Sequence, residues 1–438
     1  MMRAFVLFLF SLAIAAPATA EVDITEFTTS SGIEAWLVEE HSIPFVALEL
    51  RFRGGAALDE PEKRGAVTLM TATLEEGAGD MNAREFAKRT EELAASFEYD
   101  VYDDVLTVSA KFLSENRDEA IAHLRKSLIN PRFDQDAIDR VRAQILSIIR
   151  SDKKEPRSIA SNALDTLIYD DHPYATSRNG TVSSVSSLTR EDVVAAHRTT
   201  MARDRLYVSA AGDITKEELG TLLDDLLDGL PKTGAPLPPR AEVTLTGETK
   251  VIPFETPQSV AVFAQPGIDR DHPDFFAVYL LNHILGGGGF ESRLMQEVRE
   301  KRGLTYGVYT YLVNKDSADL WAGSVSSAND RVAEAIKVIR DQWAKIRNDG
   351  VTEEELEDAK TYLTGAYPLR FDGNGPIANI AVGMQMEGLP VDYIATRNDR
   401  VNAVTLKDVN RAAREYLKPD QLTFVVVGQP EGLMNAEN

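Results

Sequence analysis

The 438-residue chain contains no cysteine. Disulfide bonds and cysteine-ligated zinc sites are therefore excluded, and the fold must be stabilised by its hydrophobic cores. Apolar residues make up 43% of the sequence, which is ordinary for a globular protein. The length exceeds what one core usually supports, so the sequence predicts two or more domains.

Basic residues are scarce, since 47 Lys and Arg stand against 69 Asp and Glu, for a net charge of −22. Nucleic-acid-binding proteins need a basic surface, so this balance argues against nucleic acid as a partner. Excess negative charge keeps an exported protein soluble, and it also attracts basic peptides. The composition fits both explanations.

Long hydrophobic runs are absent except at the N-terminus, MMRAFVLFLFSLAIAAPATA. Arg3 precedes an apolar run at residues 5–16, and small residues at 18–20 complete the pattern of a secretory signal peptide cut after Ala20. The alternative is an uncleaved membrane anchor, for which the run is short. We therefore predict a periplasmic or otherwise exported, soluble protein with no membrane span after cleavage.

A proline-rich stretch, LPKTGAPLPPR at 230–240, divides the mature chain into two halves of similar length. The halves resemble each other, because residues 188–212 align with 404–428 at a constant shift of 216. Residues 119–128 align with 334–343 at a shift of 215. Two matches at nearly one shift indicate a duplication. The pairs that coincide include Thr189 with Thr405, Asp192 with Asp408, and Gly212 with Gly428.

The periodicity of each half predicts an α+β fold. Residues 34–53 alternate like an antiparallel strand pair, and residues 106–112 and 206–211 read as further strands. Residues 332–346 have the apolar spacing of an amphipathic helix. We predict two homologous domains, each an antiparallel sheet packed with helices. The predicted segments are a signal peptide at 1–20, an N-terminal domain at 21–229, a linker at 230–245, a C-terminal domain at 246–432 and a tail at 433–438.

Residues 285–311, LGGGGFESRLMQEVREKRGLTYGVYTY, hold the most specific motif of the second half. A glycine run precedes a predicted helix that ends at Gly303 and a predicted strand over LTYGVYTY. This segment resembles the C-terminal half of the pitrilysin/insulinase (M16) zinc peptidases, in the short two-domain branch that includes mitochondrial processing peptidase. Arg299 and Tyr306 match an Arg–Tyr pair, seven residues apart, that is characteristic of that branch.

The same resemblance implies that a zinc site has been lost from the first half. Active members carry His-x-x-Glu-His on a helix, with a third ligand, Glu, on a later helix. Residues 62–78, EKRGAVTLMTATLEEGA, align with the first helix without a gap. Thr68, Thr71 and Ala72 then stand at the positions of the motif, and Ile148 stands at the position of the third ligand. The alternative is an unrelated core helix. None of the six histidines lies four residues from another, so we expect no zinc in this chain.

The resemblance also implies what the remaining motif does. We predict a zinc-less subunit of a heterodimeric peptidase, whose partner bears His-x-x-Glu-His and holds the zinc. Arg299 and Tyr306 would contact peptide substrates and the transition state in trans, and a flexible loop would bind substrate. The loop residues are Gly286, Gly287, Gly288, Gly289 and Phe290. The alternatives are a non-proteolytic structural relative, like the core proteins of the respiratory cytochrome bc₁ complex, and a stand-alone peptide-binding protein or chaperone. An independently active peptidase would need a metal site that the sequence does not contain.

Overall fold

The computed structural model describes residues 22–433. The predicted signal peptide lies outside these residues, as does the predicted tail beyond residue 433. Within the described range, none of the helices combines the length and the apolar character needed to cross a bilayer.

The first sheet has six strands, in the spatial order β1-β2-β8-β3-β7-β6. All neighbours are antiparallel except β2 and β8, which are parallel. Two further short strands, β4 and β5, form a separate ribbon. The strands of this half are β1 (Thr25–Thr28), β2 (Glu34–Glu39), β3 (Phe45–Arg53), β4 (Gly77–Ala78), β5 (Met81–Asn82), β6 (Ser96–Val101), β7 (Val105–Leu113) and β8 (Leu206–Gly212).

The predicted strand pair at residues 34–53 is wrong in its pairing. Both strands exist as β2 and β3, but β8 lies between them and hydrogen-bonds to each. The connection at residues 40–44 is too long for a two-residue hairpin turn, and it crosses the end of β8. Alternation of apolar residues identifies a strand but not its partner, which here comes from about 160 residues further along the chain.

The second sheet repeats the pairing of the first. Its order is β11-β12-β10-β13-β9, with β13 and β9 parallel and the other neighbours antiparallel. Reversed, this order matches β2-β8-β3-β7-β6 strand for strand, so the two halves share one topology and the predicted α+β fold of two homologous domains is confirmed. The strands are β9 (Thr249–Pro253), β10 (Gln258–Pro266), β11 (Val308–Lys315), β12 (Ala318–Ala328) and β13 (Thr423–Gly428).

Fourteen α-helices accompany the two sheets in the described part of the chain. They are α1 (Ala66–Thr71), α2 (Ala83–Glu92), α3 (Arg117–Ile129), α4 (Gln135–Asp152), α5 (Pro156–Tyr169), α6 (Val182–Ser187), α7 (Arg190–Thr200), α8 (Lys216–Leu227), α9 (Phe275–Asn282), α10 (Val332–Asp349), α11 (Glu353–Gly365), α12 (Asn374–Met386), α13 (Tyr393–Asn402) and α14 (Leu406–Tyr416).

The repeat seen in the sequence is reproduced at the starts of α7 and α14. Thr189 and Asp192 form a reciprocal capping box, with the Thr189 N–H donating to the Asp192 carboxylate at 2.7 Å. Thr405 and Asp408 form the equivalent box, at 3.0 Å. Each box satisfies backbone N–H groups that the first helical turn leaves free. The duplication therefore preserved local hydrogen bonding as well as topology.

The two halves exchange a helix. Side chains alternate along a strand, so each sheet has two faces. In both sheets the two faces are apolar and buried. One face of each sheet packs on helices of its own half, as Leu48 and Phe263 do. The other face packs on a helix of the opposite half: α12 covers β2, β3 and β8, and α5 covers β10 and β13. The two halves therefore share two of their hydrophobic clusters.

A group of charged residues fills the junction beside α5. Lys315 lies at the end of β11, and its Nζ binds the Asp103 carboxylate at 2.7 Å. Asp316 pairs with Arg53 at 3.2 Å. Asp165, on α5, lies half-buried nearby, and this partial burial raises its pKa to about 6, although Lys315 lowers it in part. An aspartate ionised in such a place destabilises the fold.

We expect Asp165→Asn to stabilise the protein at neutral pH. The folded-state pKa lies above the unfolded value of 3.8, so the native aspartate lowers stability as pH rises from about 4 to about 6. The variant should equal the wild type near pH 4 and exceed it by about 1–3 kcal/mol at pH 7. Urea unfolding across this pH range measures the difference. The control is Asp171→Asn, which removes the same charge from an exposed turn; an equal gain there would contradict the assignment to burial.

Candidate functional site

The helix that carries the degenerate zinc positions is short and anchored at its start. α1 begins after Gly65, whose φ of 99° is reached easily only by glycine. The buried Asp59 carboxylate accepts hydrogen bonds from the N–H groups of Gly65 and Val67, at 2.8 and 2.9 Å. This carboxylate caps the helix from outside it. The backbone of α1 is thus positioned by residues that precede it.

The side chains at these positions do not suit a metal ion. The Thr68 hydroxyl donates to the carbonyl oxygen of Arg178 at 2.7 Å, and the buried Thr71 hydroxyl donates to that of Val67 at 2.8 Å. Ala72 is exposed, and Ile148 on α4 is 48% exposed. Across residues 22–433, no group of three or more His, Asp or Glu is placed to hold a metal ion. The side chains present at these four positions do not fit a zinc ion.

The glycine run forms consecutive helical turns rather than an open loop. Residues His283–Gly287 form a turn of π-helix, which is wider than an α-helical turn. In it, the Gly288 N–H donates to the His283 carbonyl at 2.8 Å. A Cβ on Gly286 would lie 2.5 Å from the Thr310 hydroxyl, and one on Gly287 would lie 2.7 Å from the Asn282 amide. Gly289 is different, since its φ is +60° and nothing lies within 4 Å of an added Cβ. Close packing therefore requires the first glycines, and backbone conformation favours the last.

The predicted site residues Phe290, Arg299 and Tyr306 lie together. The Arg299 guanidinium lies 4.6 Å from the centre of the Phe290 ring and 5.2 Å from that of Tyr306. Phe290 is 60% exposed and Tyr306 is 88% exposed. A guanidinium is attracted to the faces of aromatic rings, so the two rings hold Arg299 between them. We call these three residues the arginine clamp.

Two details of the segment differ from the expectation. Arg299 lies at the end of the predicted helix, but residues Met295–Glu300 form another wide turn, with the Lys301 N–H donating to the Gln296 carbonyl at 3.0 Å. Tyr306 was expected on the following strand, which in fact begins at Val308. Tyr306 precedes the strand, where no sheet neighbour constrains its side chain. Wide helical turns of this kind are frequent at functional sites.

Exposed tyrosines on β11 extend the surface beside the clamp. β11 lies at the edge of the second sheet, and Tyr309 and Tyr311 are both 49% exposed. The alternation of VYTY predicts that they share one face of the strand. Neither tyrosine is among the site residues predicted from the sequence. The alternation of residues 308–311 is the signal that could have identified them.

Asn282 connects the clamp region to the core of the second half. Its side-chain oxygen accepts hydrogen bonds from the Trp321 indole N–H at 2.8 Å and from the Thr310 hydroxyl at 2.9 Å. Trp321 is fully buried, and Thr310 packs against the first glycine of the run. Asn282 therefore fixes the start of the glycine run relative to β11 and β12.

We expect Asn282→Ala to lower the free energy of unfolding by about 1–3 kcal/mol, because it leaves two buried donors without an acceptor. Urea unfolding measures this loss. Thr310→Val is the matched control, since it removes one of the two donors and leaves the Trp321 bond intact. Its effect should be smaller, and an equal or larger effect would contradict the central role given to Asn282.

Comparisons with known proteins place this chain in a family. Residues 35–182 match the model described as Insulinase (Peptidase family M16), and residues 187–363 match the model described as Peptidase M16 inactive domain. The chain is similar to "Non-peptidase homolog YmxG" of Helicobacter pylori, with 27% identity over 89% of this chain and 90% of that protein. It is also similar to "Uncharacterized zinc protease YmxG" of Bacillus subtilis, with 22% identity over 94% of this chain and 99% of that protein.

Solved structures agree with the sequence matches. A crystal structure of a peptidase M16 inactive domain from Pseudomonas fluorescens superposes with a TM-score of 0.88 and 29% identity, over 95% of this chain and all of the other. The names of the two sequence relatives differ on peptidase activity. The terms "non-peptidase homolog" and "inactive domain" nevertheless support a non-catalytic relative. By its two matched domains and its shared fold, the chain belongs to the M16 peptidase family.

Proposed function

We propose that this chain is the zinc-less subunit of an exported, periplasmic heterodimeric M16 metallopeptidase. A partner bearing His-x-x-Glu-His holds the zinc and activates water for hydrolysis of a peptide bond. This chain supplies Arg299 and Tyr306, which contact the substrate and stabilise the oxyanion. Residues 286–290 contact the peptide beside them.

The arginine clamp is the observation that carries the proposal. The guanidinium of Arg299 lies between two rings that are largely exposed, and among residues 22–433 its one ion-pair partner is the neighbouring Glu300, at 3.4 Å. A positioned guanidinium and a free phenol are donors for the negative charge that develops on a carbonyl oxygen under attack. Exposed aromatic side chains at one surface point are typical of binding sites.

The edge strand beside the clamp supports a peptide as the ligand. An edge strand offers unpaired backbone N–H and C=O groups, to which an extended peptide adds as another strand. β11 is such an edge, and Tyr309 and Tyr311 present rings there. A peptide added along β11 would approach the segment that holds Tyr306, two residues before the strand.

The lack of metal ligands on α1 supports a separate, zinc-bearing partner. Thr68 and Thr71 direct their hydroxyls to backbone carbonyls, and Ala72 has no polar group. The part of the chain that the structure describes thus combines groups suited to an oxyanion with no group suited to the metal. A heterodimer in which one subunit binds the metal and the other binds the oxyanion accounts for this combination.

A non-proteolytic structural role is the second candidate. The close packing of Gly286 and Gly287 supports it, because the glycines then have a structural reason to be there. In this case the clamp would be a surface feature without a role in hydrolysis. Replacement of Arg299 would leave the activity of any assembly unchanged.

The experiment that tests pairing uses the mature chain and a zinc-motif M16 chain from the same organism. We expect the two to co-elute as a 1:1 complex that contains one zinc, with no zinc in the present chain alone. The control is a partner whose first motif histidine is replaced by alanine, which should still pair but lose the metal. Independent elution of the two chains at micromolar concentration would rule out the heterodimer.

A further inference from the structure

A cavity of about 620 Å³ lies between the two halves of the chain, outside the arginine clamp. Its walls come from β3 of the first half and from α9, α12 and α13 of the second. Four arginines line it: Arg51, Arg270, Arg370 and Arg397. We call this space the arginine cavity.

The charge of the arginine cavity is opposite to that of the protein. The whole chain carries −22, yet the cavity lining holds four arginines and one carboxylate, that of Glu387. Among the ion pairs of residues 22–433, none joins a carboxylate to any of these four guanidinium groups within 4 Å, whereas Arg53 and Arg411 nearby each have an aspartate. The four guanidinium groups therefore share a lining in which Glu387 is the single acidic residue, and that residue forms no ion pair with any of them within 4 Å.

The guanidinium groups are held in place by neutral neighbours. Arg270 lies 4.2 Å from the centre of the Phe275 ring and donates to the Tyr393 hydroxyl at 2.7 Å. Arg397 lies 4.4 Å from the centre of the Tyr367 ring and donates to the Leu363 carbonyl at 2.8 Å. Arg397 also donates to the Asn398 side chain at 2.9 Å and to the Tyr279 hydroxyl at 3.3 Å. Stacking and one to three hydrogen bonds fix a guanidinium but leave others of its five donors free. Such preorganised donors suit an anion.

Arg51 is partly desolvated in the arginine cavity. It donates to the Asn379 side chain at 2.7 Å, while its Nε is buried without a hydrogen-bond partner. Gly383 of α12 leaves room for it, because a Cβ there would lie 3.1 Å from Nη1. Burial lowers the pKa of Arg51, although Glu49 and Glu387 oppose the shift. A bound anion would relieve this desolvation.

The cavity is larger and more aromatic than a small inorganic ion requires. Its lining includes the rings Phe275, Phe276, Tyr279, Tyr311, Tyr367 and Tyr393. Asn282 also lines it, and the turn His283–Gly287, which contains the first two glycines of the run, begins at the next residue. Tyr311 belongs to the edge strand along which the proposed peptide runs. The cavity therefore shares Tyr311 with the proposed peptide surface.

We propose that the arginine cavity binds a carboxylate of the peptide, either an acidic side chain or the C-terminal carboxylate, with the aromatic rings around the adjoining residue. The proposal rests on the proposed function in taking a peptide as ligand, and it assigns the class of peptide that this chain selects. Guanidinium groups bind carboxylates through paired, charge-assisted hydrogen bonds, which an amide of the same shape cannot form.

The test is binding of fluorescein-labelled peptides to the mature chain, followed by fluorescence anisotropy. One peptide contains glutamates and its twin contains glutamines, and each is made with a free and with an amidated C-terminus. We expect a carboxylate-bearing peptide to bind about tenfold or more tightly than the fully amidated glutamine twin. The pattern among the four peptides tells a side-chain carboxylate from a terminal one.

The variant Arg270→Gln/Arg370→Gln should abolish this preference. Its control is Arg84→Gln/Arg347→Gln, which changes the net charge equally at exposed positions on α2 and α10 and should keep the preference. Equal binding of all four peptides, or a preference that survives in the cavity variant, would overturn the proposal. Displacement of the peptide by inorganic phosphate at concentrations near the peptide's own Kd would also overturn it in favour of a small anion.

The same assay separates this proposal from the proposed function. Arg299→Ala/Tyr306→Phe should leave the carboxylate preference intact, because neither residue lines the cavity. A preference for carboxylate-bearing peptides without any partner-dependent hydrolysis would overturn the proposed function but not the present inference. Hydrolysis by the heterodimer without a preference for carboxylate-bearing peptides would overturn the present inference but not the proposed function.

Discussion

Replacing both donors of the arginine clamp, in Arg299→Ala/Tyr306→Phe, is expected to lower kcat of the assembled heterodimer by about 100-fold or more. Loss of a single oxyanion donor costs an enzyme about 10²–10³ in kcat. KM should change less, since these donors act most strongly in the transition state. Steady-state hydrolysis of a quenched, mixed-sequence peptide by the 1:1 mixture measures both constants.

The control for this variant removes the same two chemical groups elsewhere. Arg347 is exposed on α10, and Tyr362 is 64% exposed and stacks on His283. Arg347→Ala/Tyr362→Phe should leave kcat within about twofold. Both double variants should unfold within about 1 kcal/mol of the wild type, because surface changes rarely cost more. Unchanged hydrolysis by the clamp variant would favour the structural role.

The second large effect is a gain of zinc in Thr68→His/Ala72→His/Ile148→Glu. Residue 72 directly follows α1 and lies one helical turn after residue 68, with its N–H bonded to the residue 68 carbonyl at 3.1 Å. α1 packs against α4, the helix of Ile148. Two histidines and a glutamate are the protein ligands of a three-ligand zinc site. If α1 is a former zinc helix, its backbone still positions such ligands, and the variant should retain one zinc per chain through dialysis.

Thr71 stays unchanged in this variant, because it is buried and its hydroxyl bonds the Val67 carbonyl. The other positions are half-buried or exposed and accommodate larger side chains. The matched control is Thr68→His/Ala72→His/Ile148→Gln, which has the same size but lacks the carboxylate and should lose most of the zinc. A folded triple variant that takes up no zinc would contradict the interpretation of α1 as a lost zinc helix.

Local features of the fold could be predicted from the sequence. The capping boxes at Thr189 and Thr405 lie where the aligned halves place them, because a cap depends on four consecutive residues. The helix over residues 332–346 is present as α10, since its apolar stripe determines its buried face. Signals of this kind do not depend on distant parts of the chain.

Long-range features could not be predicted in this way. The insertion of β8 between β2 and β3 depends on hydrogen bonds between segments far apart in the chain. The exchange of α5 and α12 depends on sheet faces that read as ordinary buried strands. Two apolar faces on one strand predict full burial but do not identify what covers each.

The same distinction between local and long-range features applies to the candidate site. Arg299 and Tyr306 were found through a motif of consecutive residues, and the position of Phe290 beside them agrees with it. The arginine cavity was not found, because Arg51, Arg270 and Arg397 come from three separate elements with no common spacing. Only the fold brings these charges together.

The most direct test of the central claim is peptide hydrolysis by three samples: this chain alone, the zinc-motif partner alone, and their equimolar mixture. We expect no hydrolysis by this chain, little by the partner, and a rate in the mixture at least about 100-fold above that of the partner. A mixture no more active than the partner alone would contradict the account and leave this chain a structural or peptide-holding member of its family.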